Sequence, residues 1–375
     1  MQQLFSGISC NLDRDILAAA LPLFESEKVQ AIEWSFDSLY LHEMPAWFEE
    51  LLDTFGNEGR LVGHGVFFSL FSGKWSAAQQ QWLKQLSKTC SRFRFDHITE
   101  HFGFMTGEDF HKGAPIGVPF SPSTLSLGID RLKRIQEACK CPVGLENLAF
   151  SYSLEEVIRH GEFLSQLVEP VNGFIILDLH NLYCQAENFE IGFDQMLSLY
   201  PLEKVREIHI SGGSWQEVKS NPKKKIRRDT HDEEVPEPVF ELLGNAIPLC
   251  PNLKFVILEQ IGTGLLSPDA KNQFGKDFIQ MQELAEIQPQ LTNGPSNAFR
   301  PPANIFVSPE PLEDPLLHQQ QQDLSEILEK APSIDDARKM LQSSPLANTE
   351  WQSEQWPDPM LETAIAIAQK WKDGF

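Results

Sequence analysis

Short apolar runs alternate with longer amphipathic segments through most of this chain. The first run, FSGISC, precedes DRDILAAALPLFESEK, and the last, LKFVILEQIG, precedes DAKNQFGKDFIQMQELAEI. About eight such strand-then-helix units follow one another, a pattern typical of parallel β-sheets with crossover helices. Their number and combined length match a (β/α) barrel. We therefore predict an α/β fold, a TIM-type (β/α) barrel, over residues 1–287.

A doubly wound open sheet is the main alternative to the barrel. The sequence has no GxGxxG turn after its first predicted strand and no GxxxxGK[ST] motif. Open sheets that bind nucleotides through these turns are therefore disfavoured.

The character of the sequence changes after the predicted barrel. Residues 288–320 are rich in Pro and Gln and indicate a linker or a strap on the barrel surface. Residues 321–375 contain two helix-like stretches, DLSEILEKAPSIDDARKMLQSS and DPMLETAIAIAQKWKDG. We expect a small C-terminal helical extension there.

Charge and cysteine usage limit the classes of partner. The net charge of −22 disfavours sequence-independent binding to nucleic acid or to an anionic membrane. No apolar run approaches the roughly 20 residues of a membrane helix, and the N-terminus lacks the pattern of a signal peptide. The six cysteines are scattered, so a reducing cytoplasmic location is the simplest expectation.

One apolar run, at residues 173–183, ends in a polar group of residues. The sequence GFIILDLHNLY has four apolar residues before Asp178, and His180 and Asn181 follow. An ionised carboxylate is costly to bury unless a cation or strong hydrogen bonds compensate. Asp178 is therefore expected either to open into a functional site or to cap the next turn.

Several other predicted strands end in the same way, on His, Asp or Glu. The carboxyl ends of barrel strands face one shared cavity, so these side chains are expected to converge. A lone buried His is commonly a hydrogen-bonded core residue, and a lone Glu is commonly an ion-pair partner. The convergence of many such residues instead predicts a metal site, for which imidazole and carboxylate favour iron, manganese or zinc. The candidate ligands are His64, His97, Glu146, Asp178, His209 and Glu259 at strand ends, and Asp229 and His231 in a D-x-H loop.

The charge of this set favours more than one metal ion. Glu146, Asp178, Asp229 and Glu259 carry four negative charges, whereas the histidines must be neutral to bind metal. Two divalent ions would balance four carboxylates. A centre of two or three metal ions is the preferred interpretation.

The motifs GHGVFFSL, FDHITEH, GLENLAFSY, FIILDLHNLYCQAEN, VREIHISGG, RDTHDEEVPEPVFELL and VILEQ occur in an order that resembles one known family. This family is the multinuclear non-haem iron-dependent oxidative enzymes, to which the methanobactin biosynthesis iron oxidase belongs. The resemblance extends over roughly residues 4–285 and depends on the motifs jointly.

The resemblance implies a barrel with two or three iron ions (Fe2+/Fe3+) that uses dioxygen to modify a ribosomally made precursor peptide, often at cysteine. It also implies a partner protein that binds the leader part of the peptide. Asp178, His180 and Asn181 are the catalytic candidates, and the eight candidate ligands match the ligand motifs of the family.

The sequence departs from the family pattern at three places. The second strand of the family has two glutamates, where this chain has Glu33 and Asp37. His180 stands where the family has a different residue, and it either adds a ligand or packs outward. Gly212 and Gly213 occupy the region where the family often has a second histidine. These differences leave the substrate and the reaction outcome open.

Two other functions remain as alternatives. One is a divalent-metal barrel of the sugar isomerase or endonuclease type, and the other is a catalytically inactive binding barrel. The basic cluster KKKIRR at residues 223–228 is either a solvated loop or a landing site for an acidic leader peptide.

Overall fold

The computed structural model describes residues 3–40, 43–107, 113–219, 221–287 and 296–372. Its twelve strands, numbered in chain order, are β1 Phe5–Ser9, β2 Ala31–Trp34, β3 Leu61–Gly65, β4 Ile98–His101, β5 Phe104–Met105, β6 Pro115–Ile116, β7 Val143–Glu146, β8 Phe174–Asp178, β9 Val205–Ile210, β10 Trp215–Glu217, β11 Lys225–Arg227 and β12 Phe255–Leu258.

Twelve α-helices in the described residues surround the sheet or follow it in the chain. They are α1 Arg14–Glu25, α2 Ala46–Asn57, α3 Ala77–Arg92, α4 Pro122–Cys139, α5 Leu154–Val168, α6 Leu179–Phe189, α7 Phe193–Ser198, α8 Glu237–Ala246, α9 Pro268–Ile287, α10 Pro315–Lys330, α11 Ile334–Ser343 and α12 Asp358–Trp371. Among the helices in the described part of the chain, none combines the length and apolar character that a bilayer span requires.

The predicted (β/α) barrel is confirmed. Eight strands form a closed sheet in the order β1-β12-β9-β8-β7-β4-β3-β2, and each neighbouring pair is parallel. The remaining strands form two antiparallel pairs outside the barrel, β5 with β6 and β10 with β11. The open-sheet alternative is wrong because β1 pairs with both β2 and β12, which leaves no edge.

The lumen of the barrel is apolar at its amino end. Alternate side chains of a strand point inward, and the clusters near the strand starts contain Ala31, Val62, Phe255 and Ile257, with Phe5 packed against them. The buried pair His97 and Glu207 is the polar exception there, and the cluster of candidate ligands lies towards the carboxyl end.

Residues 296–314 run along the outside of the barrel as an extended strap. Phe299 is buried against Phe174, with ring centroids 5.7 Å apart, beneath the amino end of the lumen. Further along, Arg134 donates hydrogen bonds to the carbonyl oxygens of Ser308 and Glu310. Residues 288–295 of the predicted linker lie outside the described residues, and the helical part begins at Pro315, within that predicted linker.

Helices α10–α12 pack against loops at the carboxyl end of the barrel. The Trp356 ring stacks on Tyr152 with centroids 3.9 Å apart. Met360 packs against Val218 and Ile226 of the β10–β11 hairpin. The extension therefore forms part of the surface around the mouth of the lumen.

Candidate metal centre

Six carboxylate and imidazole side chains meet at the carboxyl end of the lumen. Each one stands at or just after the end of a different strand, because inward-facing positions of neighbouring strands lie at matching heights. Their backbone registers agree: His101 pairs with Glu146, and Asp178 pairs with His209. The six are His64, His101, Glu146, Asp178, His209 and Glu259.

Glu146 lies at the centre of this cluster. Its Oε2 is 3.3 Å from Nε2 of His64 and 3.4 Å from Nε2 of His101. Its Oε1 is 3.9 Å from Nδ1 of His209, and that nitrogen is 3.3 Å from Oε2 of Glu259. The Glu146 carboxylate therefore faces two groups of possible ligand atoms. The imidazole nitrogens of His64 and His101 lie on one side, and His209 with Glu259 lies on the other.

Three groups in the described residues have ligand atoms within 4.8 Å of one another. Glu146 belongs to two of them, and His209 also belongs to two. The groups are His64, His101 and Glu146; Glu146, Asp178, His209 and Glu259; and Glu33, Glu207 and His209.

Many atoms in this cluster have no hydrogen-bond partner among the described residues. His64 Nε2, Glu146 Oε2, Asp178 Oδ2 and His209 Nδ1 are all buried and unpaired in this sense. A buried polar atom left without a partner is costly. Lone pairs of imidazole and carboxylate that face one small space fit bound metal ions, which would satisfy them together.

The electrostatics of the cluster lead to the same conclusion. Burial, together with the Asp229 and Glu146 carboxylates, raises the pKa of Asp178 well above its ordinary value. Burial alone would lower the pKa of His64, but the Glu33 and Glu146 carboxylates outweigh it and raise that pKa to about 10. Divalent cations would relieve this repulsion and replace protons on the imidazoles.

Asp178 occupies both positions that its sequence left open, the cap of helix α6 and a place in the cluster of candidate ligands. Its Oδ1 accepts a hydrogen bond of 2.6 Å from the backbone N–H of Asn181, so it caps helix α6. Its Oδ2 faces the cluster without a partner among the described residues. Helix α6 therefore begins directly at the cluster, and the Asn181 side chain in its first turn points towards Glu146. The Asn181 Nδ2 donates to the carbonyl oxygen of Asn147 at 2.8 Å and to Glu146 Oε1 at 3.3 Å.

The D-x-H loop lies at the mouth of the lumen. His231 has a left-handed backbone conformation (φ 54°), and its carbonyl oxygen accepts from the backbone N–H of Ile261. Its Nε2 is 2.7 Å from Asp229 Oδ2, and its Nδ1 is 3.6 Å from Glu259 Oε1. Asp229 and His231 thus adjoin the main cluster through Glu259.

His180 points away from the lumen. Its Nδ1 bonds Asp229 Oδ1 at 2.7 Å, and its Nε2 accepts from Arg227 Nε at 3.3 Å. Burial lowers the pKa of His180, and it is therefore neutral at pH 7. Both ring nitrogens are used, so His180 orients Asp229. Arg227, one residue of the basic cluster, is buried here and is not part of a solvated loop.

The glycine pair after β9 has a steric reason. A Cβ atom on Gly212 would lie 2.1 Å from the carbonyl oxygen of Glu234, and one on Gly213 would lie 2.3 Å from that of Arg228. The loop that carries Asp229 and His231 packs directly on these glycines. A histidine at this place would displace that loop.

The structure does not bring His97 to the cluster. Strand β4 begins at Ile98, after His97, and ends at His101. His97 therefore lies near the amino end of the lumen, where its Nδ1 bonds Asp96 Oδ1 at 3.0 Å and its Nε2 bonds Glu207 Oε2 at 2.6 Å. Its assignment as a ligand has no support from this geometry, because both nitrogens have carboxylate partners.

Sequence reasoning missed His101 and Glu207 and left Glu33 out of the ligand set. In FDHITEH, His97, Thr99 and His101 share one face of the strand. The alternation of side chains therefore allowed His101, as well as His97, as the ligand from this strand. Asp37, the other departure on the second strand, lies outside the lumen. Its Oδ2 accepts from the backbone N–H groups of Val66 and Phe67 and from Trp82 Nε1.

Metal binding is expected to release protons. Carboxylates outweigh the effect of burial and raise the pKa values of His64, His209 and His231, so these imidazoles hold protons at pH 7 in the absence of metal. Protons therefore compete with metal, and the apparent affinity should fall about tenfold or more per unit as the pH falls from 8 to 6. Calorimetric titration with Fe2+ under anaerobic conditions, in buffers of different ionisation enthalpy, measures the released protons.

The control for this prediction is His160, which lies outside the cluster. Burial lowers its pKa to about 3, so it holds no proton at pH 7. His160→Asn should leave the proton count unchanged. An affinity that does not vary between pH 6 and 8 would contradict the prediction.

One protein family and several individual proteins are similar in sequence to this chain. The family described as "RiPP precursor modification enzyme MbnB/TglH/ChrH" matches residues 25–260; a RiPP is a ribosomally synthesised and post-translationally modified peptide. Proteins described as UPF0276 are also similar. One from Shewanella loihica is 25% identical over 48% of this chain and 62% of its own length. One from Paraburkholderia phytofirmans is 29% identical over 48% and 57%. The chain thus spans about three fifths of these relatives.

Solved structures with a similar fold share little sequence with this chain. A D-psicose 3-epimerase from Clostridium cellulolyticum is 10% identical, covers 78% of this chain and 100% of its own, and has a TM-score of 0.47. The IOLI protein with a bound zinc atom is 14% identical, covers 76% and 98%, and has a TM-score of 0.46.

Proposed function

Because the chain belongs to the MbnB/TglH/ChrH family of RiPP precursor modification enzymes, we propose that it is an iron-dependent oxidoreductase. Its substrate would be a ribosomally synthesised precursor peptide, modified at cysteine with dioxygen as the electron acceptor. The observation that carries this proposal is the sharing of Glu146 between two adjacent groups of unpaired imidazole and carboxylate atoms.

The ligand groups suggest how the ions would be held. His64, His101 and Glu146 would hold one iron ion, and Glu146, Asp178, His209 and Glu259 would hold a second. Asp229 and His231 would take part in a third position beside Glu259. Nitrogen and oxygen donors of this kind suit non-haem iron. Bound iron would supply electron exchange with dioxygen and a Lewis acid that favours a substrate thiolate over the thiol.

The surrounding residues would orient the ligands and control access of water. Asn181 holds Glu146 through its amide, and His180 holds Asp229. Such outer partners fix carboxylate direction and support metal affinity. The apolar side chains below the cluster close the amino end of the lumen, so the peptide would enter from the carboxyl end.

The protein would act with a second protein in a reducing compartment. A leader-binding partner protein would deliver the precursor, and the exposed residues Lys223 and Lys225 of the basic cluster would contact an acidic leader. A reducing cytoplasm fits this activity because all six cysteines are free thiols.

The test is to purify the protein anaerobically and to count its iron by elemental analysis and Mössbauer spectroscopy. Oxygen uptake is then measured with the cysteine-containing peptide encoded beside its gene, with and without a neighbouring partner protein. We expect at least two iron ions per chain and peptide-dependent oxygen uptake. The zinc-loaded protein is the control. A protein without iron, or one fully active with zinc alone, would refute the proposal and favour a divalent-metal isomerase or hydrolase.

A further inference from the structure

A cavity of about 210 Å³ has in its wall Leu148, which follows the candidate ligand Glu146 by two residues. The cavity is lined by helix α5, the loops after β4, β6 and β7, and the C-terminal extension. Its apolar wall contains Phe102, Phe120, Leu148 and Phe163, and the extension contributes Trp351. An apolar cavity of about 150 Å³ can hold one benzene molecule, so this cavity has room for one large side chain.

The cavity is held at a short distance from Glu146. Leu148 follows Glu146 by two residues, which span at most about 7 Å along the chain. The Leu148 N–H donates to His160 Nε2 at 3.2 Å, and its carbonyl oxygen accepts from Gln185 at 2.6 Å. A peptide residue next to one at the metal centre would therefore reach the cavity.

The cavity has more negative than positive charge. Glu155, Glu156 and Glu350 line it, against one cationic side chain, Arg159. The Arg159 guanidinium lies 4.5 Å from the Phe120 ring centroid and contacts Glu155 at 4.0 Å.

Glu156 is a carboxylate of this lining that has a hydrogen bond but no cationic partner among the described residues. It accepts a hydrogen bond of 2.7 Å from the Tyr152 N–H, and no cation of the described residues lies within ion-pair distance of it. Burial raises the pKa of Glu156 to about 7, as expected for a carboxylate without a cationic partner.

We propose that this cavity binds the side chain of a basic residue, arginine or lysine, that lies within two residues of the modified position of the precursor peptide. The methylene stem would pack on the aromatic rings, and the cationic head would reach Glu156. The identity of the ligand as a peptide rests on the proposed function, whereas the site itself requires neither metal nor turnover.

The test uses three small probes with the metal-free protein. They are the N-acetyl methylamides of arginine, citrulline and phenylalanine, and citrulline has nearly the shape of arginine without its charge. Binding is followed by ¹⁹F NMR of protein labelled with 5-fluorotryptophan, in which Trp351→Phe assigns the reporting signal. We expect the arginine probe to bind about tenfold more tightly than the citrulline probe, as for a charge-assisted hydrogen bond.

Two variants test the location of the site. Glu156→Gln keeps an acceptor for the Tyr152 N–H. In this variant the arginine and citrulline probes should bind with about equal affinity. Gly117→Leu should fill the cavity and abolish binding, because a Cβ there meets only the end of Leu148, at 3.4 Å. The matched control is Gly192→Leu, whose Cβ meets nothing within 4 Å and which should bind the probe normally.

Equal binding of arginine and citrulline, tighter binding of phenylalanine, no binding of any probe, or unchanged binding to Gly117→Leu would each overturn the proposal. A failure of the oxygen assay would refute the proposed function and leave these binding results intact. If both hold, Gly117→Leu should raise KM for the precursor about tenfold with little change in kcat.

Discussion

Replacement of Glu146 by glutamine is expected to lower the bound iron from at least two ions per chain to one or fewer, and to lower turnover by about 10³-fold or more. Changes to the outer partners of metal ligands already cost about 10–100-fold, and Glu146 would be a direct ligand shared by two ions. Its oxygens face His64 and His101 on one side and His209 on the other. A neutral amide lacks the charge and the second oxygen that a ligand shared by two ions would need.

Iron content by elemental analysis and oxygen uptake with precursor peptide measure this effect. Glu100→Gln is the matched control, since Glu100 is also buried and lies beside His101 in the chain. Burial and the Asp37 carboxylate raise the pKa of Glu100 well above its ordinary value, so glutamine imitates its protonated form. Unchanged iron content in Glu146→Gln would contradict the assignment of Glu146 as the shared ligand.

Removal of the His97 side chain is expected to lower the free energy of unfolding by about 3–5 kcal/mol without loss of the metal ions. His97 bonds Glu207 at 2.6 Å and Asp96 at 3.0 Å, and all His97 side-chain atoms are buried. His97→Ala would leave Glu207 as a buried carboxylate with His209 as its remaining cationic neighbour. The cost follows from the uncompensated charge.

The stabilisation that Glu207 gains from His97 and His209 depends on pH. Burial alone would raise the pKa of Glu207, but His97 and His209 outweigh it and lower that pKa to about 2. The stabilisation is therefore present above about pH 4.5, the ordinary pKa of glutamate, and is lost as the pH falls towards 2. His97→Ala should lose most of this acid dependence.

Urea unfolding of the metal-free protein from pH 3 to 7 measures the loss of stability in His97→Ala and its dependence on pH. His318→Ala, on helix α10, is the control and should change stability by no more than about 0.5 kcal/mol. The double variant His97→Leu with Glu207→Leu should recover much of the loss, because it removes both charges together. Loss of iron in His97→Ala, with unchanged stability, would instead identify His97 as a ligand.

Local sequence patterns were sufficient to predict the barrel. Alternating short apolar runs and amphipathic helices specify parallel strands with crossover helices, and eight such units close on themselves. The same patterns predicted that polar residues after apolar runs would gather at one end. His64, Glu146, Asp178, His209 and Glu259 do so because each stands at the carboxyl end of a buried strand.

The choice between neighbouring residues depended on the strand register. His97 and His101 face the same side of β4 and differ by four residues, a separation of about 13 Å along a strand. Strand β4 begins only at Ile98, so His97 lies deep in the lumen and His101 lies at its mouth. The pairing of β4 with β3 and β7 determines that the strand starts at Ile98. Local sequence around His97 does not contain this information.

The sequence by itself determined the order of the strands, the type of fold and the chemical character of the site, because these depend on hydrophobic periodicity and residue type along short segments. Only the tertiary structure decided that Glu146 faces two groups, that His180 orients Asp229 and that Trp351 completes a cavity near the site. Each of these contacts joins residues far apart in the chain, and their distances depend on how whole strands and helices pack.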